Sequence, residues 1–68
     1  MYLIVIIPSE PGNGWNVRKA VTLPFRSRNK CYTFAGYYTS KHDVLIRVIE
    51  HGGWIASYVN GKEIWNNY

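Results

Sequence analysis

The stretch YLIVIIP, residues 2–8, constrains this chain more than any other feature. Tyr2 to Ile7 has no polar interruption apart from the tyrosine hydroxyl, is rich in β-branched residues and is stopped by Pro8, as expected of a strand buried on both faces. It belongs in the middle of a sheet. Alternation sends Leu3, Val5 and Ile7 to one face and Tyr2, Ile4 and Ile6 to the other, so both faces need cover. A chain of 68 residues buries only about 60% of its unfolded surface and holds one core, so residues 1–68 read as a single small globular domain. Cover for the second face must come from sheet curvature, a second copy of the chain or a macromolecular partner. Uncovered, that face would be an aromatic-rich interaction surface.

The rest of the chain supplies short strands. SEPGNG, residues 9–14, collects the residues that favour fixed or positive φ and reads as a loop. From Trp15 to Leu23 the pattern alternates with one break at Lys19, and Pro24 ends the strand. FRSRN, residues 25–29, reads as a polar turn before an aromatic strand at Cys31–Thr39, so that the two strands form a hairpin with a basic tip. For residues 43–50, β-branched propensity favours strand. The boundary signals favour helix: Ser40 with Asp43 approximates a capping box, and Gly52-Gly53 supplies a left-handed stop. WIASYV and KEIW flank Asn60-Gly61, the preferred two-residue type I′ turn. Direct pairing across it sets Tyr58 opposite Glu63 and Ala56 opposite Trp65 on one face, with Ser57 opposite Ile64 on the other. The expected class is α+β, a small antiparallel sheet of about five strands with one helix in the order β-β-β-α-β-β. The alternative is an all-β five-stranded small barrel with residues 43–50 as a strand.

The residues argue against enzymatic chemistry. Cys31 is the only cysteine, so no internal disulfide is possible, and it lies within an expected strand with no base aimed at it. A buried core thiol is the simpler reading. His42 and His51 are nine apart, on opposite sides of the expected helix, and cannot share a metal ion. The four carboxylates, Glu10, Asp43, Glu50 and Glu63, fit a loop, a cap and two surface positions. No phosphate-binding glycine pattern occurs. No cofactor and no metal are expected. MYLIVIIPSEP has neither a basic leader nor the roughly 20 apolar residues of a membrane span, which points to a cytoplasmic protein of its own cell or a host's, with no membrane partner.

Charge points to binding. No acid occurs from Pro11 through His42, while Arg18, Lys19, Arg26, Arg28, Lys30 and Lys41 give six positive charges against a whole-chain net of +4. Such a field attracts polyanions. Aromatics between basic residues can stack on unpaired bases, which makes single-stranded nucleic acid a candidate ligand, with Arg26, Arg28 and Lys30 on phosphates and Tyr32 and Tyr38 stacking. Tyr, Trp and Arg also dominate protein interfaces. A protein partner, most simply a nucleic-acid-handling complex, would meet Arg18, Lys19, Arg26, Arg28, Lys30, Tyr32 and Tyr38, with Tyr58 and Trp65 from the terminal hairpin as further anchors. In size and plainness the chain resembles the accessory proteins with which phages and mobile elements block host restriction, CRISPR or transcription machinery. The expected mode is stoichiometric, an inhibitor or regulator that covers a surface, with a homodimer as one way to cover the sheet.

Overall fold

The computed structural model describes residues 1–12 and 14–68, and Asn13 of the expected 9–14 loop lies outside them. The chain runs β1 (Tyr2–Glu10), β2 (Gly14–Trp15), a 3-10 turn (Val17–Lys19), β3 (Val21–Phe25), α1 (Arg28–Lys41), β4 (Val44–Glu50), β5 (Gly53–Val59) and β6 (Lys62–Asn66). The class is α+β: one α-helix lies on a curled antiparallel sheet of half-barrel form. β1 is central, with β4 on one edge and both β3 and β2 on the other, and β5 and β6 continue the sheet beyond β4. The uninterrupted apolar run therefore sits where its composition requires.

The helix and the following strand exchange places relative to the expected order. Residues 31–39 are helical, not a strand. Ser27 is extended at φ −103° and ψ 127° and its hydroxyl accepts from Lys30 N at 3.3 Å, which starts the helix inside the expected polar turn. Cys31, Ala35 and Thr39, spaced by four, form the buried stripe. These small side chains let the helix approach the sheet closely, so the tyrosines' strand propensity is outweighed by packing. Residues 44–50 are a strand, as the alternative reading had it. Their β-branched run pairs with all of β1 from Tyr2 to Pro8, a gain that one weak capping box cannot match. The glycines after it close a hairpin: His51 at φ 52° and Gly52 at φ 80° form a primed turn between β4 and β5.

The expected strand from Trp15 to Leu23 is broken. Asn16 accepts from Arg18 N through its side chain at 3.1 Å and caps the 3-10 turn, leaving two residues in β2 and a second start at Val21. Pro24 stays within β3, which pairs only with β1 and is therefore an edge strand, the place in a sheet where proline is tolerated.

The core lies between α1 and one face of the sheet. Ile4, Val44, Ile46, Val48 and Ala56 pack with Cys31 and Ala35, and Tyr2, Ile6, Phe25, Tyr32, Phe34, Tyr38 and Tyr58 close its rim. The Asn60-Gly61 turn forms as expected, with φ of 54° and 78°, and is tied to the helix. Thr39 Oγ1 donates to Ala35 O at 2.7 Å and accepts from Gly61 N at 2.9 Å. A Cβ on Gly61 would lie 3.0 Å from the Ser40 Cβ, so the position requires glycine on both conformational and steric grounds.

Candidate functional site

Among the described residues no element covers the face opposite α1 along most of its width, and the register defines that face. One cross-strand row is Pro24, Leu3, Ile49 and Trp54, and the next is Thr22, Val5, Arg47, Ser57 and Trp65. Ile7 and Leu45 continue this face toward β2 and are buried. The chain passes from β2 into the 3-10 turn at that end, where Asn16 N donates to Pro8 O at 2.8 Å. Away from that end, Leu3, Val5, Arg47 and Ile49 are half-buried, while Trp54 and Trp65 are 44% and 42% exposed.

Both tryptophans reach this face through irregularities in the sheet. Val48 pairs with Ala56 but Ile49 pairs with Trp54, so Ile55 is an extra residue in β5. Tyr58 pairs with Glu63 but Ser57 pairs with Trp65, so Ile64 is an extra residue in β6. Strict alternation would turn Trp54 and Trp65 toward the helix, and each bulge re-aims one of them outward. The expected pairing of Tyr58 with Glu63 holds, whereas Ala56 with Trp65 and Ser57 with Ile64 are each displaced by one residue. Trp65 consequently leaves the face it was expected to share with Tyr58 and joins Trp54.

The two rings lie 4.7 Å apart at 43°, and the Arg47 guanidinium stands 4.5 Å from the Trp54 ring centroid, inside cation–π range. Trp54 Nε1 donates to Ser57 Oγ at 2.9 Å and to Ala56 O at 3.1 Å, which fixes its ring. Arg47 Nε is buried without a hydrogen-bond partner among the described residues. No carboxylate belongs to either row. Arg47 is thus a cation held against an aromatic ring, its Nε shielded from solvent and no acid in either row to compensate its charge.

The residues singled out from sequence are distributed differently. Arg18 and Lys19 are exposed on the 3-10 turn, Arg26 on the turn before α1 and Lys30 on its first turn. Arg28 is committed: its Nε is 3.2 Å from Glu50 Oε2 and its guanidinium is 4.6 Å from the Tyr32 ring centroid. Tyr32 and Tyr38 do not share an open strand face. Tyr32 donates to Glu50 and meets Tyr58 edge-on at 6.2 Å, and Tyr38 stacks between Phe34 at 5.1 Å and His42 at 4.2 Å. Tyr58 lies against the core. Trp65 alone of the expected set lies on the open face. Arg47 escapes the sequence reading because that reading makes 43–50 a helix, and Trp54 because no residue marks the bulge that turns it outward. As a strand, Leu45, Arg47 and Ile49 alternate with Val44, Ile46 and Val48, and Arg47 is the one charge in an apolar ladder.

His42 ends α1 and His51 lies in the β4–β5 turn, so neither is on the helix from which their separation was argued. Among the described residues no three His, Cys, Asp or Glu side chains come together. Cys31 is fully buried, and burial pushes its thiol up to about 11. Burial likewise raises the Tyr58 hydroxyl, with Glu63 adding to it. Both are acids with folded values above their ordinary ones, so the native state holds these protons longer than the unfolded chain. The contribution of Cys31 is complete below about pH 9 and is lost as pH rises toward 11, and that of Tyr58 is lost in the same direction. Thermal melts at pH 7, 9, 10 and 11 are expected to fall progressively above pH 9, and a thiol reagent at pH 8 should label Cys31 only after denaturation. Rapid native labelling would show that the helix does not seal the thiol.

Among the described residues no helix is long and apolar enough to cross a membrane. No protein-family model, curated protein or solved structure matches the chain.

Proposed function

We propose that this chain is a binding protein that acts by occupancy, through the open face of its sheet, on a negatively charged macromolecular partner. One observation carries the reading. Two separate bulges turn Trp54 and Trp65 away from the core and onto the same exposed face, beside an arginine that no carboxylate of that face compensates. Apolar surface is costly to leave in water, and a small domain with spare tryptophans would gain by burying them. Aromatic pairs flanking an arginine are the composition of binding hot spots. The basic field expected from the sequence remains part of this reading. Arg18, Lys19, Arg26 and Lys30 are exposed around the domain and draw an anionic partner in, while Arg47 is the cation at the contact.

The three indole N–H groups provide the test, since Trp15 lies at the other end of the molecule in an open cleft of about 330 Å³ that also contains Glu10 and Asp43. The isotope-labelled protein would be followed by NMR as clarified cell lysate is added, with and without nuclease treatment. The Trp54 and Trp65 indole signals are expected to shift or broaden well before that of Trp15. Uniform response of all three, or none, would remove the open face as the docking surface.

A further inference from the structure

We infer that the occupant of the open face is single-stranded nucleic acid, with bases stacking on the exposed Trp65–Trp54 pair and Arg47 holding a phosphate; this rests on the reading of that face as a docking surface.

Three observations select this occupant. The first is charge complementarity over the whole molecule. Arg28 is the only one of the eight Lys and Arg side chains with a carboxylate partner among the described residues. The acids are engaged internally: Asp43 by the Ser9 hydroxyl, Glu10 by the Asn16 amide, Glu50 by Tyr32 and Arg28, and Glu63 by Tyr68. Positive charge spread around the domain matches a polymer that carries a phosphate at every unit better than it matches one acidic patch.

The second is the shape of the platform. The row from Thr22 to Trp65 crosses five strands, about 19 Å at ordinary strand spacing. It lies opposite the helix, with flat aromatic groups at one end and a cation at its middle. Single-strand binders use this combination, a sheet surface on which bases stack while cations follow the backbone. Duplex bases, already stacked on each other, have no faces to offer the tryptophans.

The third observation argues against a second copy of the chain. A two-fold dimer through this face would bring two Arg47 side chains toward each other, and neither row holds a carboxylate to compensate them.

Labelled dT16, a duplex of the same length and a poly-glutamate peptide would be titrated with the protein by fluorescence polarisation between 50 and 300 mM salt. The expected result is that dT16 binds at least tenfold tighter than the duplex, weakens as salt rises and quenches tryptophan fluorescence. Trp65→Ala should reduce dT16 affinity ten- to hundredfold, the loss of one stacked base. Arg26→Glu, on the turn before α1 and outside both rows, should cost less, and it serves as the control for a general charge effect. Equal affinity for dT16 and duplex, unchanged by Trp65→Ala, would mean attraction by charge alone and would overturn the inference. Absence of oligonucleotide binding while nuclease-treated lysate still shifts the Trp54 and Trp65 signals would also overturn it, leaving an acidic protein on the same face. Silence in both experiments would overturn the docking surface itself.

Discussion

Ile4→Ala is expected to destabilise the domain by about 2–5 kcal/mol, the range for emptying a fully buried isoleucine site. Ile4 is completely buried on the central strand, paired with Leu23 on one side and Val48 on the other, in the layer that faces Cys31 and Ala35 of α1. Truncation would leave a void touched by three strands and the helix, and the neighbouring strands are held in register by their own pairing, so the site has little freedom to collapse. A chain of 68 residues is expected to have roughly 3–10 kcal/mol of stability in total. The loss is therefore a large fraction of the whole, and the melting temperature should fall by about 10 °C or more. Ile64→Ala provides the contrast. Ile64 is the extra residue of the β6 bulge and is 59% exposed, so its truncation should stay within about 0.5 kcal/mol. Chemical denaturation of both variants checks the pair. Equal effects would mean that the core is not centred on the layer between β1 and α1.

The central strand was legible because its signal is redundant: six residues, all able to be buried, with proline as the stop. The Asn60-Gly61 hairpin was legible because type I′ geometry needs positive φ at both turn positions, and this dipeptide supplies it. The exchange between helix and strand has a physical cause. The buried stripe of α1 is Cys31, Ala35 and Thr39, which looks weakly apolar in sequence, while the side chains that make 31–39 resemble a strand, Tyr32, Phe34 and Tyr38, lie on the flanks of the helix and close the rim of the core. Helix–sheet proximity selected small residues where propensity scales look for large ones. In the opposite sense, Ser40, Asp43 and Gly52 imitate the ends of a helix, whereas in the structure Asp43 binds the Ser9 hydroxyl and Gly52 makes a turn.

The site was less legible than the fold, and the bulges are the reason. Period-two reading assigns each strand residue to a face from its neighbours, and one extra residue reverses every assignment beyond it. Ile55 and Ile64 carry no feature that marks them as extra. Trp65 thus reads as an anchor on the face of Tyr58 and Trp54 receives no role, and only the three-dimensional register brings them to the uncovered face with Arg47. The need for an uncovered face was nevertheless implicit in the first strand. Leu3 and Val5 are apolar on the side away from α1, and one helix covers only one side.

Arg47→Leu separates a structural arginine from a binding one, because the two roles predict opposite signs. A residue kept for stability should cost something when replaced. Here the guanidinium of half-buried Arg47 gains about 0.5–2 kcal/mol from the Trp54 ring, while a buried Nε without a partner forfeits about 1–3 kcal/mol. Leucine would sit between Val5 and Ser57 in the row, beside Ile49 and the tryptophans, and extend an apolar surface. The variant is therefore expected to melt at the same temperature as the parent or a few degrees higher, a gain of up to about 1 kcal/mol. Its affinity for dT16 should fall at least tenfold, with a salt dependence shallower by about one phosphate contact. Arg47→Lys refines the assignment: a lysine keeps the charge but not the planar group over Trp54, so intermediate affinity with a steep salt dependence is expected. A clear fall in the stability of Arg47→Leu, with binding unchanged, would identify Arg47 as a strut for Trp54 and leave the tryptophans as the only binding groups on the face. The opposite pattern, greater stability at the expense of binding, is what a site held slightly strained for its ligand should show.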